Sequence, residues 1–273
     1  MKKVLSILLA VVSALVILAT PVSLQNVQAA NTVADNGCYI IKCSTNSKYC
    51  LDITGESKKN RANVRLYQRN GNYGQKFVFR AVGNYYYIQN MASGLYLTVT
   101  GGKAVKGANI MQYELKKTKA QKWQAVRNSD GTYTFVSAIN SSYCLDLTSA
   151  KVANGTNIRL WTRGKSSGQK WRLVKLYKVT IKDRYPSASS NSKVCKYYAI
   201  KKKYTGKTCY VSAGEAVWLE KGNYAIYGYA KSKNGVSNPS SMTIDGNKVY
   251  RVGSNTAAEV TGKGTIYDWL YTS

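Results

Sequence analysis

The sequence predicts an all-β chain: a barrel with pseudo-threefold symmetry, followed by a small sandwich-like β module. Three observations predict it. One stretch, Tyr143–Trp171, is written three times, with earlier copies at Tyr49–Phe77 and Tyr96–Trp123. Its markers keep register: Leu51, Leu97 and Leu145 step by 46 and 48 residues, as do Asn63, Asn109 and Asn157, and Gln75, Gln121 and Gln169. Within each copy, short apolar-alternating runs are separated by Gly and Asn, which is strand periodicity and not helical periodicity. A repeat of this length is one supersecondary unit that buries its apolar face only against its copies. Three such units closing on one another remove the exposed sheet edges.

Taken in order, Met1–Ala29 reads as a secretory leader. Lys2 and Lys3 precede the apolar run Val4–Ala19, and Val27-Gln28-Ala29 supplies small residues for cleavage. The run is shorter than the roughly 20 residues a span needs, so the expectation is a secreted protein with no integral span after cleavage. An oxidising destination suits the six cysteines. Two local bridges are reasonable by position: Cys43 with Cys50 across the turn Ser44–Tyr49, and Cys195 with Cys209 across the Lys201–Gly206 segment, which leaves Cys38 and Cys144. Metal binding is the rival use of cysteine, but the chain has no histidine and no CxxC, so neither a metal nor a cofactor is expected.

The repeat region occupies Gly37–Lys175. Beyond it, Leu176–Ser273 changes text: the Gln-x-aromatic motif disappears, and strand-like runs alternate with turns such as Lys221-Gly222-Asn223 and Asp245-Gly246-Asn247. Several short strands at this spacing suggest a small sandwich. The charge is strongly basic throughout, with 40 Lys and Arg against 12 Asp and Glu, a net of +28. A field of that size concentrates polyanions, so anionic cell-surface polymers, acidic or sulfated glycans and nucleic acid are candidate partners. Simple solubility of an exported protein is the plainer explanation of the same charge.

Three Gln-x-aromatic motifs (Gln75-Lys76-Phe77, Gln121-Lys122-Trp123, Gln169-Lys170-Trp171), two of them preceded by an apolar-Asp-apolar triplet, resemble the ricin-type β-trefoil lectin family over Gly37–Lys175. The resemblance implies glycan partners, galactose-like ones included, and assigns roles. A sugar presents an apolar C–H face and a polar rim, so its site needs an aromatic plane and a strong acceptor, and bonds to an ionised acceptor are the stronger kind. Carried over, repeat one offers Asp52 as acceptor and Tyr67 as platform, and repeat three offers Asp146 and Trp161. Gln75 and Gln169 match the family's structural glutamine and stand near the site. Arg65 and Arg159 occupy the family's amide position, a departure that recurs in both copies. Arginine is donor-only and forks onto carboxylate or sulfate, so it either clamps the aspartate or faces the ligand; the second arrangement implies preference for acidic or sulfated sugars. Repeat two has Thr98 and Met111 in place of the charged pair and is expected not to bind, although it keeps Tyr113. Against the binding reading, either aspartate could simply accept main-chain N–H bonds in a turn. Phe77, Trp123 and Trp171 are expected in the core.

Hydrolytic motifs are absent. Without histidine there is no Ser-His-Asp or Cys-His arrangement. No pattern pairs two acidic residues of the last 98 for glycosidase chemistry. The sequence therefore points to a non-catalytic secreted lectin. The alternative is a cationic binder of anionic polymers whose trefoil is scaffold only.

Overall fold

The computed structural model describes residues 33–182, 197–202, 208–230, 241–244 and 247–267. The expected leader Met1–Ala29 and Cys195 lie outside the described residues. No helix among the described residues is long and apolar enough to cross a membrane.

Each repeat supplies four strands. Repeat one gives β1 (Gly37–Cys43), β2 (Tyr49–Ile53), β3 (Val64–Gln68) and β4 (Phe77–Val82). Repeat two gives β5 (Tyr85–Asn90), β6 (Tyr96–Val99), β7 (Ile110–Tyr113) and β8 (Lys122–Arg127). Repeat three gives β9 (Tyr133–Ser137), β10 (Tyr143–Leu147), β11 (Ile158–Thr162) and β12 (Trp171–Lys182). The first and last strand of each repeat build the barrel, which closes in the order β1, β4, β5, β8, β9, β12 and back to β1. The middle two form hairpins, β2–β3, β6–β7 and β10–β11. The architecture is the β-trefoil that the repeats predict.

The markers that set the register explain the closure. Leu51, Leu97, Leu145, Phe77, Trp123 and Trp171 are all buried in one core. Trp123 and Trp171 each donate an indole N–H to a carbonyl one hairpin away, of Leu97 and Leu145. The three asparagines meet as well. Asn63 donates to Asn157, Asn157 to Asn109 and Asn109 to Asn63, each at 2.9 Å, so the three side-chain amides form a closed ring. After each hairpin's first strand the chain turns through a left-handed residue, Gly55 (φ 64), Gly101 (φ 75) and Ser149 (φ 54). Glycine meets that need in two copies, because it alone adopts positive φ without steric cost.

The remaining strands are β13 (Tyr197–Lys202), β14 (Thr208–Ser212), β15 (Ala216–Glu220), β16 (Gly222–Ala230), β17 (Ser241–Ile244), β18 (Asn247–Val260) and β19 (Gly264–Tyr267). Five of them pair in the order β14, β13, β16, β18, β17. β15 and β19 instead flank the far half of β12, from Leu176 onward. Lys221 alone separates β15 from β16, and Gly222 at φ 134 lets the chain switch sheets there. A second core forms between the two sheets from Val179, Ile181, Tyr198, Ile200, Val217, Leu219 and Ile226 among others. This is the sandwich-like module expected after Lys175. The two cores are separate, yet the expected boundary at 175/176 falls inside one strand: Trp171–Leu176 pairs with β1 and Leu176–Thr180 with β15.

The expected Cys43–Cys50 bridge does not form; both are free thiols. The register explains it. Lys42 stands directly opposite Cys50, so Cys43 points to the other face of β1. Cys43 enters the barrel core, while Cys50 packs outside it with Ile40 and Val78. Cys38 and Cys144 are also buried free thiols, and Cys38 lies 3.0 Å from the Met91 sulfur. Cys209 is free, and its expected partner lies outside the described residues.

Candidate functional site

The candidate sites lie on the outer faces of hairpins β2–β3 and β10–β11. Strand alternation places Leu51 and Leu66 inward, and Asp52, Arg65 and Tyr67 outward. Asp52 stands directly across from Arg65, and Asp146 directly across from Arg159. Arginine at that register position meets the carboxylate without spanning any distance. Arg65 Nε donates to Asp52 Oδ2 at 2.8 Å, and Arg159 Nε to Asp146 Oδ1 at 2.8 Å.

The glutamines hold the other oxygen. Gln75 Nε2 donates to Asp52 Oδ1 at 3.2 Å and to the Gln68 carbonyl, while its own oxygen accepts from the Asn70 N–H. Gln169 repeats the set with Asp146 Oδ2 at 3.1 Å, the Thr162 carbonyl and the Gly164 N–H. Both amides are buried and saturated, as a buried amide must be. Asp52 is 4% exposed and Asp146 3%. Their oxygens are turned to side chains, not to main-chain amides, and each carries one bond of the two it accepts. Burial pushes the Asp52 carboxyl above the ordinary aspartate range, opposed by the Arg65 bond and charge and by the Gln75 bond.

Of the two arrangements open to the arginines, the structure adopts the clamp, and it adds a stack. The Arg159 guanidinium lies 3.5 Å from the centre of the Trp161 ring, and that of Arg65 4.2 Å from Tyr67. Each guanidinium thus uses Nε on the carboxylate and its flat face on the ring. Its two Nη groups make no hydrogen bond among the described residues.

Repeat two keeps the frame and loses the charge. Thr98 faces Met111; its hydroxyl donates to the Tyr96 carbonyl and accepts from Gln121 Nε2 at 3.1 Å. The glutamine is therefore retained where the carboxylate is gone, which marks it as part of the fold.

The two charged sites differ in one residue that sequence reasoning missed. Lys106, from the loop before β7, places its ammonium 4.6 Å from the Trp161 ring centre. Neighbouring backbone explains the approach: Gly107 N–H donates to the Leu160 carbonyl at 2.8 Å. At the matching place in repeat one, Gly155 N–H donates to the Leu66 carbonyl at 2.9 Å, and Asn154 stands where the lysine would be. Each of these two hairpins is thus completed by a loop from a different repeat, a pairing that no motif in the sequence marks. No three His, Cys, Asp or Glu side chains gather to hold a metal among the described residues.

A closed six-stranded barrel, three capping hairpins and acidic-aromatic clusters on two of them define a β-trefoil of lectin type. The chain belongs to the ricin-type beta-trefoil lectin domain-like family, whose model matches residues 25–113, 73–161 and 119–216. No curated protein matches it. Among solved structures it is similar to the designed 3-fold symmetric protein ThreeFoil, with 28% identity over 50% of this chain and 96% of that one, TM-score 0.48. It is similar to the Macrolepiota procera ricin B-like lectin solved in complex with lactose, with 20% identity over 52% and 97%, TM-score 0.45. It is also similar to a mosquitocidal holotoxin, with 20% identity over 84% of this chain and 28% of that one, TM-score 0.51.

Proposed function

We propose that this is a secreted, non-catalytic carbohydrate-binding protein that takes glycans at repeats one and three and not at repeat two. Asp52 and Asp146 accept from ligand hydroxyls with their remaining lone pairs, Tyr67 and Trp161 supply the apolar plane, and Gln75 and Gln169 fix the carboxylates. Arg65 and Arg159 give the sites their preference. With the carboxylate held from below and the ring covered on one side by a cation, the open donors are the Nη groups, so the favoured ligand is an acidic or sulfated galactose-like sugar.

The observation that carries this reading is the recurrence of one carboxylate–arginine–ring stack in two repeats and its loss from the third. Two sites on one rigid frame gain through effective concentration on a multivalent glycan. The near-complete burial of both aspartates favours a second reading, in which the trefoil is scaffold and the charge of +28 binds anionic cell-surface polymers. A glycan panel with neutral, sulfated and uronate-bearing galactosides, read at two salt concentrations, separates them. Polyanion binding collapses steeply with salt. Binding that survives salt and disappears in the Asp52→Ala/Asp146→Ala protein supports the lectin. Binding that falls with salt and ignores the double substitution supports the scaffold.

A further inference from the structure

A cleft of about 470 Å³ opens where the loop Arg69–Lys76 of repeat one meets β14, β15 and β16. The trefoil presents this loop three times, so its repeats serve as internal controls. A lysine follows each marker glutamine. Lys170 is half-buried, with its side chain 37% exposed, and pairs with Asp130 at 2.9 Å, and Lys122 lies half-buried beside the Tyr87 ring. Lys76 is 6% exposed, lies 3.9 Å from the Tyr73 ring centre, and makes no ion pair among the described residues. This copy is roofed by the C-terminal module.

The acidic groups nearby are already engaged. Glu56 accepts from the Tyr73 and Gly74 N–H groups, at 2.8 and 3.2 Å. Glu220 is paired with Arg69. Arg69 gives one Nη to that pair, and its buried Nε has no partner. The cleft therefore holds two cations on its trefoil wall, Lys76 with no ion pair among the described residues and Arg69 with one Nη on Glu220. Burial pushes the Lys76 ammonium below the ordinary lysine range, a cost an incoming anion would offset. On the opposite wall stand Trp218 and Tyr210, the latter 47% exposed at the rim. A volume of this size accepts one or two sugar rings, and pockets of about 300–1,000 Å³ are the usual range for small ligands.

We propose that this cleft is a third ligand site, separate from the hairpin sites, which binds a sugar acid of hexuronate size with its carboxylate at Lys76 and Arg69 and its ring against Trp218 and Tyr210. The carboxylate matches the Lys76 ammonium, which has no ion pair among the described residues, and the neighbouring Arg69 guanidinium, and a ring with an apolar face and hydroxyl rim matches the mixed aromatic and polar lining.

The test uses the full chain and D-galacturonate, with D-galactose and benzoate as comparison probes, by calorimetry. The Tyr67→Ala/Trp161→Ala protein, which lacks both hairpin platforms, is expected to keep binding galacturonate. Adding Lys76→Met is expected to weaken that binding at least tenfold, with galactose and benzoate bound weakly or not at all throughout. If Lys76→Met does not fold, Tyr210→Ala carries the test, with an expected loss of at least threefold. No galacturonate binding in the platform-less protein overturns the proposal, as does unchanged affinity in a folded Lys76→Met or Tyr210→Ala protein. Equal binding of benzoate overturns the sugar-acid assignment. Because the hairpin platforms are absent from the background, failure here leaves the lectin reading untouched, and the converse also holds.

Discussion

Asn63 donates its side-chain N–H to the Asn157 oxygen at 2.9 Å across 94 residues of sequence. With Asn109 the ring is complete, and every member both donates and accepts. Replacing Asn63 with Ala leaves Asn157 without its donor and Asn109 without its acceptor. The three asparagines are half-buried, so the cost lies at the low end of the range of about 1–3 kcal/mol for a fully buried unpaired polar group. The expected loss in urea unfolding is at that low end for Asn63→Ala, and the equivalent substitutions at Asn109 and Asn157 should cost about the same. Because the three act as one ring, the triple variant should lose less than the sum.

The proposed sugar sites are separable by substitution. Asp146→Asn keeps the shape and removes the charge that both Arg159 and the ligand use. Hydrogen bonds to charged groups contribute about 1.5–3 kcal/mol, so glycan affinity at repeat three should fall about 10- to 100-fold. Thr98→Asp with Met111→Arg tests sufficiency: if the stack is the site, repeat two should gain binding, and calorimetric stoichiometry should rise accordingly.

Arg159 and Lys106 both lie near Trp161, whereas among the described residues Arg65 is the one cation over Tyr67. Repeat three should therefore prefer sulfated over neutral galactosides more strongly than repeat one. Lys106→Ala should narrow that difference without moving neutral-sugar affinity. A sulfated and an unsulfated galactoside, titrated into the Asp52→Ala protein with and without Lys106→Ala, measure it.

Asp52 gives the protein a pH signature. Its carboxyl is raised above the ordinary value of 3.8, first by burial. The folded state then holds the proton more tightly than the unfolded chain. The contribution to stability is fully present below 3.8 and is lost as pH rises through the folded value. Asp52→Asn should remove that slope from a stability–pH curve. Ligand binding runs the other way, because it uses the ionised form. In an Asp146→Ala background, affinity at repeat one should already be falling with acidification at pH above 3.8.

The barrel was legible because its spacing repeats. Leu51, Leu97 and Leu145 cannot hold one register by local preference alone, and the core they enter is the one the motif aromatics fill. The outward pairing of Asp52 with Arg65 was half legible: the residues were evident, but choosing clamp over ligand contact needed the register that sets them directly opposite. Lys106 was not legible, because a residue of repeat two completes the site of repeat three. The Cys43–Cys50 expectation failed on parity. A one-residue offset in an antiparallel pair reverses the face a side chain points to, and sequence spacing does not record it. Nor did the change of text after Lys175 reveal that β12 runs on through it.

That unbroken strand has a mechanical consequence. A hinge would let the sandwich swing until each half found its own attachment; in β12, pairing with β1 runs to Leu176 and pairing with β15 starts there, so no unpaired residue is left to act as one. On the proposed reading, the angle at which the hairpins of repeats one and three meet a glycan surface is then set when the chain folds, and the spacing of epitopes there, not the reach of a tether, decides whether both grip.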